Sequence, residues 1–198
     1  IYVWKGWMVV RIIVLMSTSE NDIVNEIEEQ RKEFIIMKSN VLIDQDGVGG
    51  GAVGAGGYKG FLNGGKPLRD PQTGIAENYE NRKTQCYYRI AAKVNVGLVG
   101  MIANSETVVI VERSGRRYHG LIIKVGGKEY NIVDLIKSNL RAIKKKDVDK
   151  DGRIKINAKE DQKIILNGMS PDFSDTFMMR EQFELLDDDG WDIESENY

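Results

Sequence analysis

Apolar and polar positions divide this chain into stretches with a period of two and stretches with a period near 3.6. Ile1 to Lys5 and Met8 to Met16 are dense in Val, Ile, Tyr and Trp and are broken at Gly6, which predicts a β-hairpin at the start. Ser17 to Ser19 offer N-caps. Ile23, Val24, Ile27 and Phe34 then recur at helical spacing among acidic residues, predicting an amphipathic helix to about Phe34. Val41 to Asp44 reads as a short buried strand. The β-β-α-β order places helices against a mixed sheet and makes the fold α/β.

Between Gly47 and Gly65 glycine is so dense that the expectation is a long loop without regular structure, apart from a short strand around Phe61. Asn78 is a candidate cap for a helix running to about Val96, with Tyr79, Cys86, Tyr87, Ile90 and Val94 on its apolar side and Gly97 as its stop. Thr107 to Tyr130 reads as strands joined at Ser114-Gly115 and Gly126-Gly127. Helices are expected at about Ile132 to Ile143, Ala158 to Leu166 and Pro171 to Leu186. Residues 1–186 thus read as one domain, followed by an acidic tail at 187–198 that is poor in aliphatic residues and expected to be disordered.

Composition narrows the chemistry. With 41% hydrophobic and 29% charged residues the chain falls within the ordinary globular range. The apolar start is interrupted by Arg11 and no apolar run approaches the roughly 20 residues of a membrane span, so the reading is a soluble, untargeted protein. Cys86 and His119 are each the sole residue of their type, which excludes an internal disulfide and a zinc site built on Cys and His. A resident metal would have to be a hard ion on carboxylates: Mg²⁺, Mn²⁺ or Ca²⁺. The net charge of −2 is not that of a dedicated DNA binder, yet 28 Lys and Arg residues leave room for a local basic stripe.

Three familiar motifs occur and fail on context. Gly49, Gly51 and Gly54 match G-x-G-x-x-G, but Asp44 and Asp46 at the mouth of that segment would repel a pyrophosphate. Gly60 to Lys66 spells G-x-x-x-x-G-K, with Pro67 in place of the hydroxyl that holds Mg²⁺ in a P-loop. Asp147, Asp149, Asp151 and Gly152 imitate the start of a calcium loop, with Ala158 where a bidentate Glu is required.

The acids that remain are Asp44 and Asp46 at a strand end and the pair Asp172 and Asp175, which share a helical face after Pro171. By residue chemistry alone the second pair has an ordinary role, since first-turn acids favour the helix dipole by about 0.3–1 kcal/mol.

Three segments resemble the nuclease domain of tailed-phage terminase large subunits. They are Val41-Leu-Ile-Asp-Gln-Asp-Gly-Val-Gly-Gly-Gly51, Asn78-Tyr-Glu-Asn-Arg-Lys-Thr-Gln-Cys-Tyr-Tyr88 and Ser170-Pro-Asp-Phe-Ser-Asp-Thr-Phe-Met-Met-Arg180, in the family's order and spacing. The resemblance runs from Ile1 to about Leu186. It implies an RNase H-like mixed sheet flanked by helices, and a metal-dependent endonuclease that cuts concatemeric double-stranded DNA during genome packaging. By position Asp44 resembles the central-strand acid and Asp172 the late-helix acid, with Asp46 and Asp175 as supporting metal ligands around two Mg²⁺ or Mn²⁺ ions. Lys83, Lys159 and Lys163 are the candidate phosphate contacts, Arg82 and Arg89 lesser ones, and Tyr87 and Tyr88 are candidates for base stacking or core. Trp4, Trp7, Met178 and Met179 read as structural. The resemblance further implies the terminase small subunit and portal protein as partners, no membrane, and the cytoplasm of a bacterial host.

Departures from the family are equally specific. The family's first acid lies on a strand upstream of the hairpin, and the sequence begins past it at Ile1, so the chain is expected to lack one metal ligand and to cut feebly or not at all. By the resemblance, residues 1–198 are expected to carry none of the ATPase half of the large subunit, and Gly54 stands where relatives often carry Asp. The alternative reading is a non-catalytic module on the same fold that binds DNA or packaging proteins. Another RNase H-like nuclease, such as a resolvase or transposase, fits the Ser170 segment less well.

Overall fold

The computed structural model describes residues 1–16, 19–46, 49–146 and 152–186. The 187–198 tail and Asp147, Asp149 and Asp151 of the calcium-loop imitation lie outside the described residues.

The predicted hairpin forms as β1 (Tyr2–Lys5) and β2 (Met8–Leu15), with Gly6 at φ +60° in the turn, a conformation in which a side chain would be strained. Strand β2 is the middle of the main sheet. After α1 (Glu20–Phe34), β3 (Leu42–Asp44), α2 (Gly49–Gly56), β4 (Lys59–Phe61) and α3 (Arg82–Asn95), the chain returns as β5 (Gly100–Met101) and β6 (Val108–Val111), both parallel to β2, and β7 (Arg117–His119) lies antiparallel at the edge. The remainder is the hairpin β8 (Ile122–Val125) and β9 (Lys128–Asn131), then α4 (Ile132–Ala142), the small pair β10 (Lys145–Lys146) and β11 (Lys155–Ile156), α5 (Lys159–Ile165), α6 (Asp172–Met178) and α7 (Gln182–Leu185).

Alternation along the strands sorts the core into two layers. Val3, Ile13 and Val109 face one side, where Phe34 and Ile36 at the end of α1 cover them. Val9, Ile12, Val108 and Ile110 belong to the larger core, built with Cys86, Tyr87 and Ile90 of α3, Leu135 and Ile136 of α4, and Phe177 and Met178 of α6. Phe177 closes against the hairpin, with ring centroids 5.9 Å from Tyr2 and 5.1 Å from Trp4. The mixed α/β architecture with helices on a mixed sheet is therefore as expected. Among the described residues no helix is long and apolar enough to cross a membrane.

Four local readings are corrected. The glycine-rich stretch is not an irregular loop: Gly49–Gly56 is a helix that packs on α1. Its glycines serve close approach. A Cβ at Gly49 would stand 1.7 Å from the Asp44 carbonyl oxygen, one at Gly51 1.9 Å from the Glu20 carboxylate and one at Gly56 2.0 Å from the Tyr58 ring. Next, β3 pairs in parallel with β4 in a separate two-stranded sheet, so Asp44 does not sit on a strand of the main sheet. The cap of α3 is Asn81, whose side chain accepts from Thr84 N at 2.8 Å, while Asn78 turns away to donate to the Gly152 carbonyl. Finally, the single helix expected from Pro171 to Leu186 is interrupted by a 3-10 turn at Met179–Glu181. That turn carries the fully buried carboxylate of Glu181 to Lys93 Nζ at 2.7 Å.

Candidate metal site

Strand β3 ends at Asp44, opposite Phe61 of β4, and Gln45 N–H continues the pairing to the Phe61 carbonyl at 3.0 Å. Phe61 is wholly buried and anchors this pair in the core. Two residues beyond it, Asn63 reaches back. Its Nδ2 donates to Asp44 Oδ1 at 2.8 Å and to Asp46 Oδ2 at 2.7 Å, and its backbone N–H also faces Asp46 Oδ2 at 3.3 Å. Asp46 N–H donates to Asp44 Oδ1 at 3.0 Å, folding the two carboxylates together. One amide nitrogen thus stands where two carboxylate oxygens converge, and Asn63 Oδ1 is buried without a hydrogen-bond partner. Sequence reasoning missed Asn63, because its only signal, a polar residue after a short strand, is common to many loops.

The second half of the site comes from α3 and α6. Asp175 is only 6% exposed, and its Oδ1 accepts from Tyr87 OH at 2.5 Å and pairs with Lys83 Nζ at 2.8 Å. Tyr87 OH also lies 3.0 Å from Ser174 Oγ, and burial followed by the Asp175 charge pushes its phenol well above the ordinary range. Tyr87 is consequently a hydrogen-bonding core residue, and the base-stacking reading does not fit its burial. The two halves are joined through the backbone, since Lys83 N–H donates to the Asn63 carbonyl at 3.2 Å.

Electrostatics couple them as well. Burial raises the Asp44 carboxyl above its usual range, the Asp46 N–H opposes this, the charges of Asp46 and Asp175 raise it further, and Lys83 lowers it. A carboxyl raised by burial and by neighbouring acids is a pattern associated with functional sites. Asp172 behaves differently. It is exposed at the start of α6, and its Oδ1 accepts from Ser170 Oγ at 2.5 Å.

The basic candidates also divide. Lys83 is turned inward to Asp175, Arg82 is buried with Nε and Nη2 on the Lys66 carbonyl, and Arg89 engages Asp70 at 3.0 Å and Glu77 at 3.2 Å. Arg89 holds Asp70 down to about 2, together with hydrogen bonds from Thr73. None of these three is a free surface charge. Lys159 and Lys163 lie exposed on α5, as a phosphate contact requires. Tyr88 packs on Tyr79 with ring centroids 5.4 Å apart.

The donor set suits a hard cation. Mg²⁺ is commonly held by one or two carboxylates while it keeps several waters and meets substrate phosphate. Asp44 and Asp46 offer converging oxygens, and the Asn63 amide, turned over, would present its unpartnered oxygen to the same point. Among the described residues, however, no three of His, Cys, Asp and Glu form a metal cluster, and Asp175 is paired with Lys83.

A scan against protein-family models finds no match, and no curated protein is significantly similar in sequence. Solved structures do match. The K428A mutant nuclease domain of the large terminase subunit gp2 of bacterial virus Sf6, with manganese, aligns at a TM-score of 0.58 and 20% identity, over 88% of this chain and 78% of that one. The fold is that of a terminase nuclease domain. The same mutant with calcium gives 0.58 and 20%, and the nuclease domain itself gives 0.56 and 18%, each over 88% of this chain and 77% of that one. A terminase-nuclease fold agrees with the expected architecture.

Proposed function

We propose that this chain is a metal-dependent DNA endonuclease domain of the terminase type, acting on double-stranded DNA during phage genome packaging in the cytoplasm of a bacterial host. The observation that carries the reading is the convergence of Asp44 and Asp46 on Asn63, which the Lys83 backbone joins to the buried Asp175 far along the sequence. In this reading Asp44 and Asp46 hold a Mg²⁺ or Mn²⁺ ion, Asn63 orients them, and Asp175 on α6 is the late-helix acid, with Asp172 at the rim. A divalent ion held by Asp44 and Asp46 would supply Lewis-acid polarisation of a phosphate and activation of water, and Asp175 is the carboxylate available to a second ion. Lys159 and Lys163 supply phosphate contacts outside the site. The terminase small subunit and the portal protein are the partners this role requires. Residues 1–186 form the nuclease domain, with 187–198 as its acidic extension.

Plasmid nicking tests the proposal. The expected result is slow nicking in Mn²⁺, absent in EDTA and lowered at least about a hundredfold by Asp44→Asn, a loss equivalent to about 2.7 kcal/mol of transition-state stabilisation. DNA binding of ordinary strength with no Mn²⁺-dependent cutting would favour the non-catalytic module instead.

A further inference from the structure

From the Lys83–Asp175 pair we infer that Lys83 is a tethered counter-cation: its ammonium holds Asp175 while the site is metal-free, and divalent-ion binding must displace it. The inference rests on the metal-site reading above and assigns a residue that controls how tightly that site takes its ion.

The geometry is specific. Lys83 Nζ lies 2.8 Å from Asp175 Oδ1, and the two side chains are 15% and 8% exposed, so the pair is poorly screened by solvent. The same ammonium lies 5.9 Å from the Tyr87 ring centroid, a second attraction that holds it in place. The residue has little freedom to leave by backbone motion. It occupies the first turn of α3, which Asn81 caps, and its N–H is bonded to Asn63, the residue that also bridges Asp44 and Asp46. Lys83 therefore reads both halves of the site.

A first-turn lysine is otherwise out of place, because the helix dipole disfavours a cation at its N-terminus. Placed there, it balances the buried Asp175 carboxylate without closing the site, because a divalent ion presents twice the charge and can replace it. Lys83 thus acts as a positioning residue that holds the Asp175 carboxylate in place, and it weakens ion affinity in the process.

The test is calorimetric titration of the full chain with MnCl2, alongside thermal melting in EDTA, on the wild type, Lys83→Met, Lys83→Gln and Asp44→Asn. Lys83→Met is expected to bind Mn²⁺ about tenfold more tightly than wild type and to melt at a lower temperature in EDTA, with a larger rise on adding Mn²⁺. A purely structural lysine would not tighten ion binding. Should Lys83→Met fail to fold, Lys83→Gln, which keeps a hydrogen-bond donor and lacks the charge, decides by the same criterion. Unchanged or weaker Mn²⁺ affinity in the neutral variants, with binding still lost in Asp44→Asn, overturns the role of Lys83 and leaves the metal site standing. No Mn²⁺ binding by any of the four proteins overturns both.

Discussion

Asp175→Asn is expected to lower Mn²⁺-dependent cleavage at least about a hundredfold, whereas Asp172→Asn leaves it within about threefold. The sequence places both acids in the first turn of one helix, yet the fold treats them oppositely. Asp175 is buried against α3 and its charge raises Asp44, while Asp172 is exposed and bonded to its neighbour Ser170. A hundredfold loss corresponds to about 2.7 kcal/mol of lost transition-state stabilisation, whereas an exposed surface substitution typically stays within about 0.5 kcal/mol. Single-turnover cleavage of a labelled duplex, with melting curves to confirm folding, makes the comparison. Equal losses in the two variants would mean that burial does not distinguish their roles.

Phe61→Ala is expected to destabilise the domain by about 3–5 kcal/mol, the usual range for removing a buried phenylalanine. That is a large part of the roughly 5–15 kcal/mol that holds a typical domain together. Phe61 has no exposed surface, and its strand does two jobs for the site: it pairs with Leu42–Asp44 and leads directly into Asn63. The variant should therefore lose Mn²⁺ affinity along with stability, and Phe61→Leu should retain most of both. Urea unfolding monitored by circular dichroism measures the first effect. A loss below about 1 kcal/mol would show that β3 and β4 are held by other contacts.

Much of the fold was legible in the sequence because its signals were local. The hairpin, α1, the strands from Val108 to Asn131 and α4 follow from periodicity and turn residues, and each forms where expected. The misreadings arose where tertiary contacts decide. Glycine at 49, 51 and 56 signalled looseness, but its value here is close approach: the Asp44 backbone leaves no room for a side chain at 49, and the Glu20 carboxylate and the Tyr58 ring lie against 51 and 56. Asn78 and Asn81 are both good caps by type, and only the long-range bonds of Asn78 to Gly152 and Ile154 settle which one starts α3. For the site, Asp44 and Asp46 stood out because two acids close a strand. The inward turn of Lys83, the burial of Asp175 and the bridging of Asn63 depend on how α3 meets α6 and β4, which no spacing along the chain reveals.

The central claim is that Asp44 and Asp46 hold a divalent ion, and anomalous diffraction from a crystal soaked in MnCl2 tests it most directly. The account predicts a manganese peak within bonding distance of Asp44 or Asp46, at the point now bridged by Asn63 Nδ2, and its absence from an Asp44→Asn crystal. A peak only at Asp172 or elsewhere on the surface, or none at all under conditions that saturate binding in solution, would contradict it.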